Sequence, residues 1–358
     1  MQALLIITLF LALVASVSLW SGLELHAAWL LWLAVAAGLS SAVLAVITLR
    51  RREAAAQKGP LRWGRLALFA LLVILGLAIT GSLWLSHDRA MTLVHPRRIL
   101  ISRLPESAGI RAYQDVQFQA SDGLTLRGWY MPTQNGAIVI LLHGHGGNRT
   151  QFLPEAALLA GHGYGVLLYD ARGSGESDGE LSTYGLLEVN DLRGAVRFAL
   201  DLPGVDSGRL GVAGFSMGGA TVLMGAAQIP EISAVVAQST FTSLEDNLSH
   251  GVERMTGLPP FPFAPMIVFF AQREAGMDIR QVRPEEAAAA ISPRPLLIMH
   301  SALDDLAAVE NAYQLYAAAR EPKDLVIVEG AGHCCLMQRG GEAYKQKLLE
   351  FFEQLLAH

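Results

Sequence analysis

A serine enclosed by glycines is the most informative chemical feature of this 358-residue sequence. Ser216 lies in GFSMGG at 214–219, after an apolar run at 210–213 that predicts a buried strand and before a helical pattern at 220–227. A turn this tight needs glycine on both sides of the serine, because larger side chains would collide there. The hydroxyl then projects above the sheet edge at a helix N-terminus, which favours negative charge. This arrangement is typical of acyl transfer through a covalent serine intermediate.

Two later polar residues could supply the base and the acid that an activated serine needs. His333 ends the loop GAGH, which follows a predicted strand and contains glycines that let it bend over the sheet edge. Asp304 comes just after another predicted strand, where a carboxylate would fix the tautomer of the histidine and stabilise its cation. The adjacent Asp305 is an alternative for the same role. The order Ser216, Asp304, His333 is one of the orders in which catalytic triads occur.

A second glycine-rich loop could stabilise the oxyanion that forms when a serine attacks a carbonyl. The segment HGHGGN at 143–148 follows a predicted strand, and its glycines allow backbone N–H groups to face inward. We expect the N–H groups of His145 and Met217 to be the two donors, each worth about 3–4 kcal/mol of transition-state stabilisation. A phosphate-binding loop fits less well, because the pattern G-x-G-x-x-G and the P-loop lysine are both missing.

The elements that would position these residues alternate between strands and helices from about residue 98 to residue 358. Alternating segments at 116–120 and 124–131 flank Ser-Asp-Gly and predict a hairpin. Continuous apolar runs predict strands buried on both faces, at 137–142, 165–169, 210–213, 234–237, 296–299 and 325–328. Helical patterns lie between them, and an amphipathic helix at about 342–356 closes the chain. The pattern predicts an α/β fold with a mostly parallel sheet covered by helices on both faces.

These motifs together resemble the α/β-hydrolase superfamily over about residues 110–355. The matching segments are HGHGGN at 143–148, YDARGSGESDG at 169–179, GFSMGG at 214–219, HSALDD at 300–305 and GAGH at 330–333. Membrane-anchored serine hydrolases related to serine aminopeptidases and prolyl-oligopeptidase-like enzymes are the most similar branch. The resemblance implies an α/β-hydrolase fold, a triad of Ser216, Asp304 and His333, and a structural Arg172 paired with a buried carboxylate. The branch usually has His-Gly-x-x-Asp at the acid, whereas this chain has HSALD, so Asp305 stays an alternative.

Three apolar segments precede this domain, at about 3–20, 27–49 and 66–85. Each approaches or exceeds the length of about 18–20 residues that a helix needs to cross a bilayer, and five of the six tryptophans fall near segment ends. The composition agrees, because the chain is 52% hydrophobic and 16% charged, against about 45–50% and about 25% in soluble proteins. We therefore expect a membrane anchor of three transmembrane helices over residues 1–90 and a catalytic domain over residues 98–358.

The loop between the second and third segments predicts the orientation of this anchor. It is basic, with Arg50, Arg51, Arg52, Lys58, Arg62 and Arg65. Basic loops stay in the cytoplasm, so an integral protein of the cell membrane is expected, with its catalytic domain on the extracytoplasmic side. Four arginines after the third segment count against this orientation. A cleaved signal peptide at 1–20 fits less well, because that segment lacks a basic start.

A long insertion, about residues 241–292, predicts how substrates could be selected. It exceeds an ordinary connection and is rich in proline and phenylalanine, so it could form an apolar cap over the site, although ordinary core packing explains it equally well. The net charge of −5 predicts no nucleic-acid partner. The only cysteines, Cys334 and Cys335, have no metal-ligand spacing. Adjacent cysteines rarely bridge, so we expect this pair to fill apolar space.

The sequence as a whole predicts a membrane-anchored serine hydrolase. It would cleave an ester, thioester or amide bond in a small-molecule or lipid-like acyl substrate, with no metal and no organic cofactor. Three alternatives stay open: a peptidase, an acyltransferase on the same fold, and a membrane protein that binds a partner without catalysis.

Overall fold

The computed structural model describes residues 61–356, and the chain divides into two compact units, with the boundary between Asp88 and Arg89. The predicted spans at 3–20 and 27–49 lie outside the described residues. Helix α1 (Leu61–Val94) covers the third predicted span. Within the described residues, the segment Ala70–Val94 is the one helix that is long and apolar enough to cross a membrane, with a mean hydropathy of 1.8 over its most apolar window.

An eight-stranded sheet forms the centre of the second unit. Its strands are β1 (Gln114–Gln119), β2 (Thr125–Met131), β3 (Ile138–Leu142), β4 (Gly165–Tyr169), β5 (Leu210–Phe215), β6 (Ala234–Gln238), β7 (Leu296–Ser301) and β8 (Lys323–Val328). They are ordered β1-β2-β4-β3-β5-β6-β7-β8. Only β1 and β2 run antiparallel to their neighbours, and all other pairs are parallel. The predicted α/β-hydrolase fold, with a mostly parallel sheet that starts with a hairpin, is confirmed.

Helices cover both faces of this sheet. The helices that follow α1 are α2 (Leu153–Gly161), α3 (Glu188–Leu200), α4 (Met217–Ala226), α5 (Leu244–Thr256), α6 (Pro260–Ala275), α7 (Pro284–Ala288), α8 (Glu310–Ala318) and α9 (Leu336–Glu353). Successive side chains of a strand point to opposite faces. Ile138 and Ile140 of β3 therefore join the core beneath α3 and α4, whereas Val139 and Leu141 join the core beneath α2 and α9. This two-sided burial explains why the inner strands are continuously apolar.

Helices α5 and α6 lie between β6 and β7, inside the predicted insertion at 241–292. They pack on each other and on the last turn of α1, which belongs to the second unit. The buried residues of this small cluster are Ala90, Leu93, Val94, Val252, Ile267, Ala271 and Ala275. The insertion therefore contains a helical pair with an apolar core, followed by the short helix α7, rather than a loop.

Candidate active site

The turn between β5 and α4 consists of one residue, Ser216, because β5 ends at Phe215 and α4 begins at Met217. Its backbone has φ 53° and ψ −116°, which is a strained conformation for a residue with a side chain. A Cβ atom on Gly214 would lie 2.1 Å from the carbonyl oxygen of Gly218, so no larger residue fits there. The N–H of Ser216 donates to the carbonyl of Gln238, which ties the turn to β6.

The structure brings the three predicted triad residues together. The Oγ atom of Ser216 lies 3.0 Å from Nε2 of His333. The other ring nitrogen of His333, Nδ1, lies 2.8 Å from both carboxylate oxygens of Asp304. With Nδ1–H donating to the carboxylate, Nε2 carries the lone pair that can accept the proton of the serine hydroxyl. The arrangement therefore links a carboxylate, an imidazole and a hydroxyl in one hydrogen-bonded row.

The loop after β7 buries Asp304 and leaves Asp305 exposed. Oδ1 of Asp304 accepts hydrogen bonds from the backbone N–H groups of Leu306, at 3.0 Å, and Ala307, at 2.8 Å. Burial alone would raise the pKa of the Asp304 carboxyl, but hydrogen bonds from His300, His333 and Ala307 outweigh it and hold this pKa well below its ordinary value. Asp304 therefore stays ionised at neutral and mildly acidic pH.

His300 contributes to this environment, and the sequence analysis did not single it out. It lies at the end of β7 and is fully buried. Its Nε2–H donates to the carbonyl of Ala307 at 2.8 Å and lies 3.4 Å from Oδ2 of Asp304. The signal was present in the segment HSALDD, where a histidine precedes the acid by four positions. His300 thus holds both the loop and the carboxylate in place.

The loop after β3 is held by its first histidine. His143 is fully buried, its Nδ1–H donates to the carbonyl of Gly144, and its Nε2 accepts from the N–H of Ala171. Burial lowers the pKa of His143, so the ring is neutral, as this bonding pattern requires. The N–H of Gly144 donates to the side chain of Gln151. These bonds fix the backbone of the segment 143–148 next to Ser216.

His145 occupies the same loop and lines the same cavity as Ser216. Its Nε2–H donates to the carbonyl of Leu93 at 2.8 Å, and its ring stacks on Tyr184 with a centroid distance of 4.4 Å. Burial lowers the pKa of His145, so it too is neutral. Within the described residues, neither the N–H of His145 nor that of Met217 makes an internal hydrogen bond. Both predicted oxyanion donors are therefore available to a ligand.

Buried ion pairs support the loops around the site. The guanidinium of Arg172 lies 2.6 Å from the fully buried carboxylate of Asp191, as the resemblance implied. Arg149, just after the loop at 143–148, pairs with the buried Asp170 at 2.8 Å. Both arginines are themselves almost fully buried. Asp170 directly follows β4, whereas Asp191 lies in α3. The two ion pairs therefore join distant parts of the chain.

A cavity of about 430 Å³ opens next to Ser216 and His333. This volume lies within the range of small-molecule sites. Its apolar walls come from five separate segments of the chain. They include Ile99, Tyr184, Phe215, Phe241, Met255 and Leu306. Phe241 and Met255 belong to the insertion, so part of the insertion does cover the site. Ile99 belongs to the segment that follows α1, which the sequence analysis did not connect with the site.

The expectations for the two cysteines are wrong. Cys334 and Cys335 are both exposed, so they do not fill apolar space. Their sulfurs are joined in a disulfide between adjacent residues. Cys335 has a positive φ of 72° and is the N-cap residue of α9, two positions after His333.

The sequence matches the Alpha/beta hydrolase family over residues 139–346, more than half of the chain, and the chain therefore belongs to this family. This identifies an enzyme of the α/β-hydrolase type. The polyketide transferase ATR5 of Stachybotrys chlorohalonatus is 30% identical over 294 residues, which cover 68% of this chain and 97% of ATR5. The uncharacterized protein YfhR of Escherichia coli is 29% identical over 247 residues, which cover 66% of this chain and 80% of YfhR.

Among solved structures, the esterase Pf2001 of Pyrococcus furiosus superimposes with a TM-score of 0.60 at 26% sequence identity. The match covers 72% of this chain and 98% of the esterase. A related fold thus occurs in an esterase, while ATR5 is named as a transferase. Both names are consistent with chemistry at an acyl group, which the family membership supports.

Proposed function

We propose that the protein is a serine hydrolase that cleaves carboxylic esters through an acyl-serine intermediate. The hydrogen-bonded row of Ser216, His333 and Asp304 carries this proposal, because its two contacts of 3.0 and 2.8 Å connect a hydroxyl to a base and the base to an ionised acid. In addition, these groups line a cavity with room for a small substrate. The likeness to an esterase favours an ester over an amide or thioester.

In the proposed mechanism, Oγ of Ser216 attacks the substrate carbonyl while Nε2 of His333 takes the hydroxyl proton. The carboxylate of Asp304 stabilises the imidazolium that forms. The N–H groups of His145 and Met217 donate to the oxyanion, and His333 then returns its proton to the departing alcohol. Water, deprotonated by His333, releases the acid and restores Ser216.

An acyltransferase is the second candidate, and the likeness to a polyketide transferase favours it. The same acyl-serine would then be attacked by an alcohol or amine instead of water. The two reactions differ in their products, so adding a labelled alcohol acceptor during turnover separates them. Transfer predicts labelled ester in proportion to acceptor, whereas hydrolysis predicts free acid as the main product.

We also propose that the protein is an integral membrane protein with its enzyme domain outside the cytoplasm. The apolar segment Ala70–Val94 supports one membrane-spanning helix, and the basic loop at 50–65 before it favours an outward-facing domain. Protease treatment of sealed inside-out and right-side-out vesicles tests the orientation. Digestion of the domain only in right-side-out vesicles is expected, and digestion only in inside-out vesicles would reverse the assignment.

The enzymatic proposal is tested with the full chain in native membranes. We expect hydrolysis of 4-nitrophenyl esters by the wild type and at least a 10³-fold loss in Ser216→Ala. Ser207→Ala is the matched control, because Ser207 is an exposed serine that does not line the cavity. A panel of matched 4-nitroanilides reports amide cleavage, the activity of a peptidase. Folded wild type that cleaves no ester and no amide would favour the non-catalytic binding protein.

A further inference from the structure

The segment that follows α1 forms one wall of the cavity, and it brings a cation to the site. Ile99 and Arg103 both line the cavity that contains Ser216 and His333. This segment enters the site from outside the hydrolase-family match, which begins at residue 139. It therefore adds a feature to the pocket that family membership alone does not imply.

Several hydrogen bonds hold this wall in place. The side-chain amide of Asn148 donates to the carbonyl of Ile99 at 2.9 Å. Arg98 donates to the backbone carbonyls of Gly175 at 3.2 Å and Ser177 at 2.5 Å. After the wall, Pro105 is buried at the start of a short 3-10 helix. Because the chain is held in place on both sides of Arg103, the backbone of Arg103 has a fixed position beside the cavity.

The charge of Arg103 is not neutralised by the protein. Arg103 is an exposed residue, and within the described part of the chain it makes no ion pair or hydrogen bond. By contrast, the side chains of Asn148, Thr150 and Gln151, which also line the cavity, are engaged in hydrogen bonds of the glycine-rich loop. None of the described residues that line the cavity is an aspartate or a glutamate.

We propose that Arg103 makes the site selective for esters that carry a negatively charged group, a carboxylate or a phosphate, on an otherwise apolar body. The apolar walls accept the body, Ser216 attacks the ester, and Arg103 pairs with the charge. This inference rests on the proposed ester hydrolysis and deepens it by naming the substrate class. Because Arg103 is exposed, water screens most of this attraction, and the apolar walls on the cavity side strengthen it only modestly.

Two esters with the same leaving group and the same number of acyl carbons test this selectivity. They are 4-nitrophenyl hexanoate, which is neutral, and mono-4-nitrophenyl adipate, which has a terminal carboxylate. We expect the wild type to favour the adipate in kcat/KM by about three- to tenfold at low salt, with the preference shrinking as salt screens the pair. Arg103→Gln should remove the preference by lowering kcat/KM for the adipate toward the value for the hexanoate, and Arg103→Glu should reverse it.

Arg103→Lys and Arg111→Gln are the matched controls. The lysine keeps the charge and should keep most of the preference. Arg111 is an exposed arginine a short distance along the chain that does not line the cavity, so its loss should leave the preference intact. A second pair of substrates consists of a monoacylglycerol and the same molecule phosphorylated on its glycerol. Comparing kcat/KM for this pair shows whether the site favours a phosphate on the leaving alcohol, whereas the first pair reports on a carboxylate on the acyl group.

The outcomes separate this inference from the proposed function. Hydrolysis of both nitrophenyl esters without a preference, or a preference that survives in Arg103→Gln, would refute the role of Arg103 and leave ester hydrolysis standing. Absence of hydrolysis of every ester by folded wild type would refute both. Protection of Ser216 from a phosphonate reagent gives a readout without turnover. The monoamide of adipic acid, which has a terminal carboxylate, should protect the wild type better than the neutral hexanamide, and Arg103→Gln should abolish that difference.

Discussion

The change of Asp304 to asparagine tests the acid of the proposed triad with almost no change in volume. Oδ1 of Asp304 accepts from two backbone N–H groups, so asparagine should keep its oxygen at that position. Its NH₂ group would then replace Oδ2, which lies 2.8 Å from Nδ1 of His333. An NH₂ donor there favours an unprotonated Nδ1. The retained oxygen also lies 2.8 Å from Nδ1 and competes for its proton. In the fraction of molecules in which the ring proton moves to Nε2, this nitrogen faces Ser216 and can no longer accept the serine proton.

The size of the effect follows from the contacts that are lost. The carboxylate shares the single Nδ1–H of His333 between its two oxygens, at 2.8 Å each. The change therefore removes one hydrogen bond to a charged group, which contributes about 1.5–3 kcal/mol when His333 carries its positive charge. Because about 1.4 kcal/mol corresponds to a tenfold change in rate, Asp304→Asn should lower kcat by about 10–10²-fold.

The matched control is Asp305→Asn, which makes the same chemical change at the next residue. The side chain of Asp305 is exposed, and within the described chain it has no hydrogen bond to the site. We expect kcat for 4-nitrophenyl butyrate to stay within about threefold of the wild type. Circular dichroism and Tm confirm that both variants fold. An Asp304→Asn enzyme with more than a tenth of the wild-type kcat, or an equal loss in Asp305→Asn, would refute the assignment of the acid.

Three further changes test the scaffold of the site. Gly218→Ala should abolish activity, because its Cβ would lie 2.3 Å from the carbonyl of Leu142; ester hydrolysis by a folded variant at the wild-type rate would contradict this. Asp191→Ala should lower the free energy of unfolding by about 3–5 kcal/mol in urea titrations, because it leaves the buried Arg172 charge without its main partner. Burial raises the pKa of Glu155 to about 7. The stability contributed by the protonated carboxyl is therefore fully present below its unfolded pKa of about 4.5 and is lost as pH rises through 7. Glu155→Gln should be more stable than the wild type at pH 8 by about 3 kcal/mol, and equal stability of the two proteins in urea would refute the shift.

Local sequence patterns were sufficient to predict the sheet and the turn at Ser216. Inner strands such as Gly165–Tyr169 are apolar at every position because both faces are covered, and this signal needs no knowledge of the partner strands. The turn at Ser216 depends on neighbouring glycines within the same few residues. The late positions of Asp304 and His333 followed from strand order, because loops at the carboxyl ends of parallel strands share one edge of the sheet.

Contacts between distant segments were not predictable in the same way. The choice between Asp304 and Asp305 depends on which carboxylate turns inward toward His333 and His300, and adjacent residues of one loop carry no periodic signal for that. The approach of Arg103 to the cavity depends on how the chain folds back after α1. Cys334 and Cys335 are exposed at the end of the histidine loop, where Cys335 has a positive φ. A pattern of apolar residues does not predict such a backbone conformation.

Reaction of the membrane-bound protein with a fluorophosphonate, followed by mass spectrometry of its peptides, tests the central claim most directly. An activated serine reacts covalently, whereas an ordinary hydroxyl does not. We predict one modified residue, Ser216, with labelling lost in Ser216→Ala, strongly slowed in His333→Ala and unaffected in Ser207→Ala. Labelling that persists in Ser216→Ala, or folded wild-type protein that does not react at all, would contradict the account.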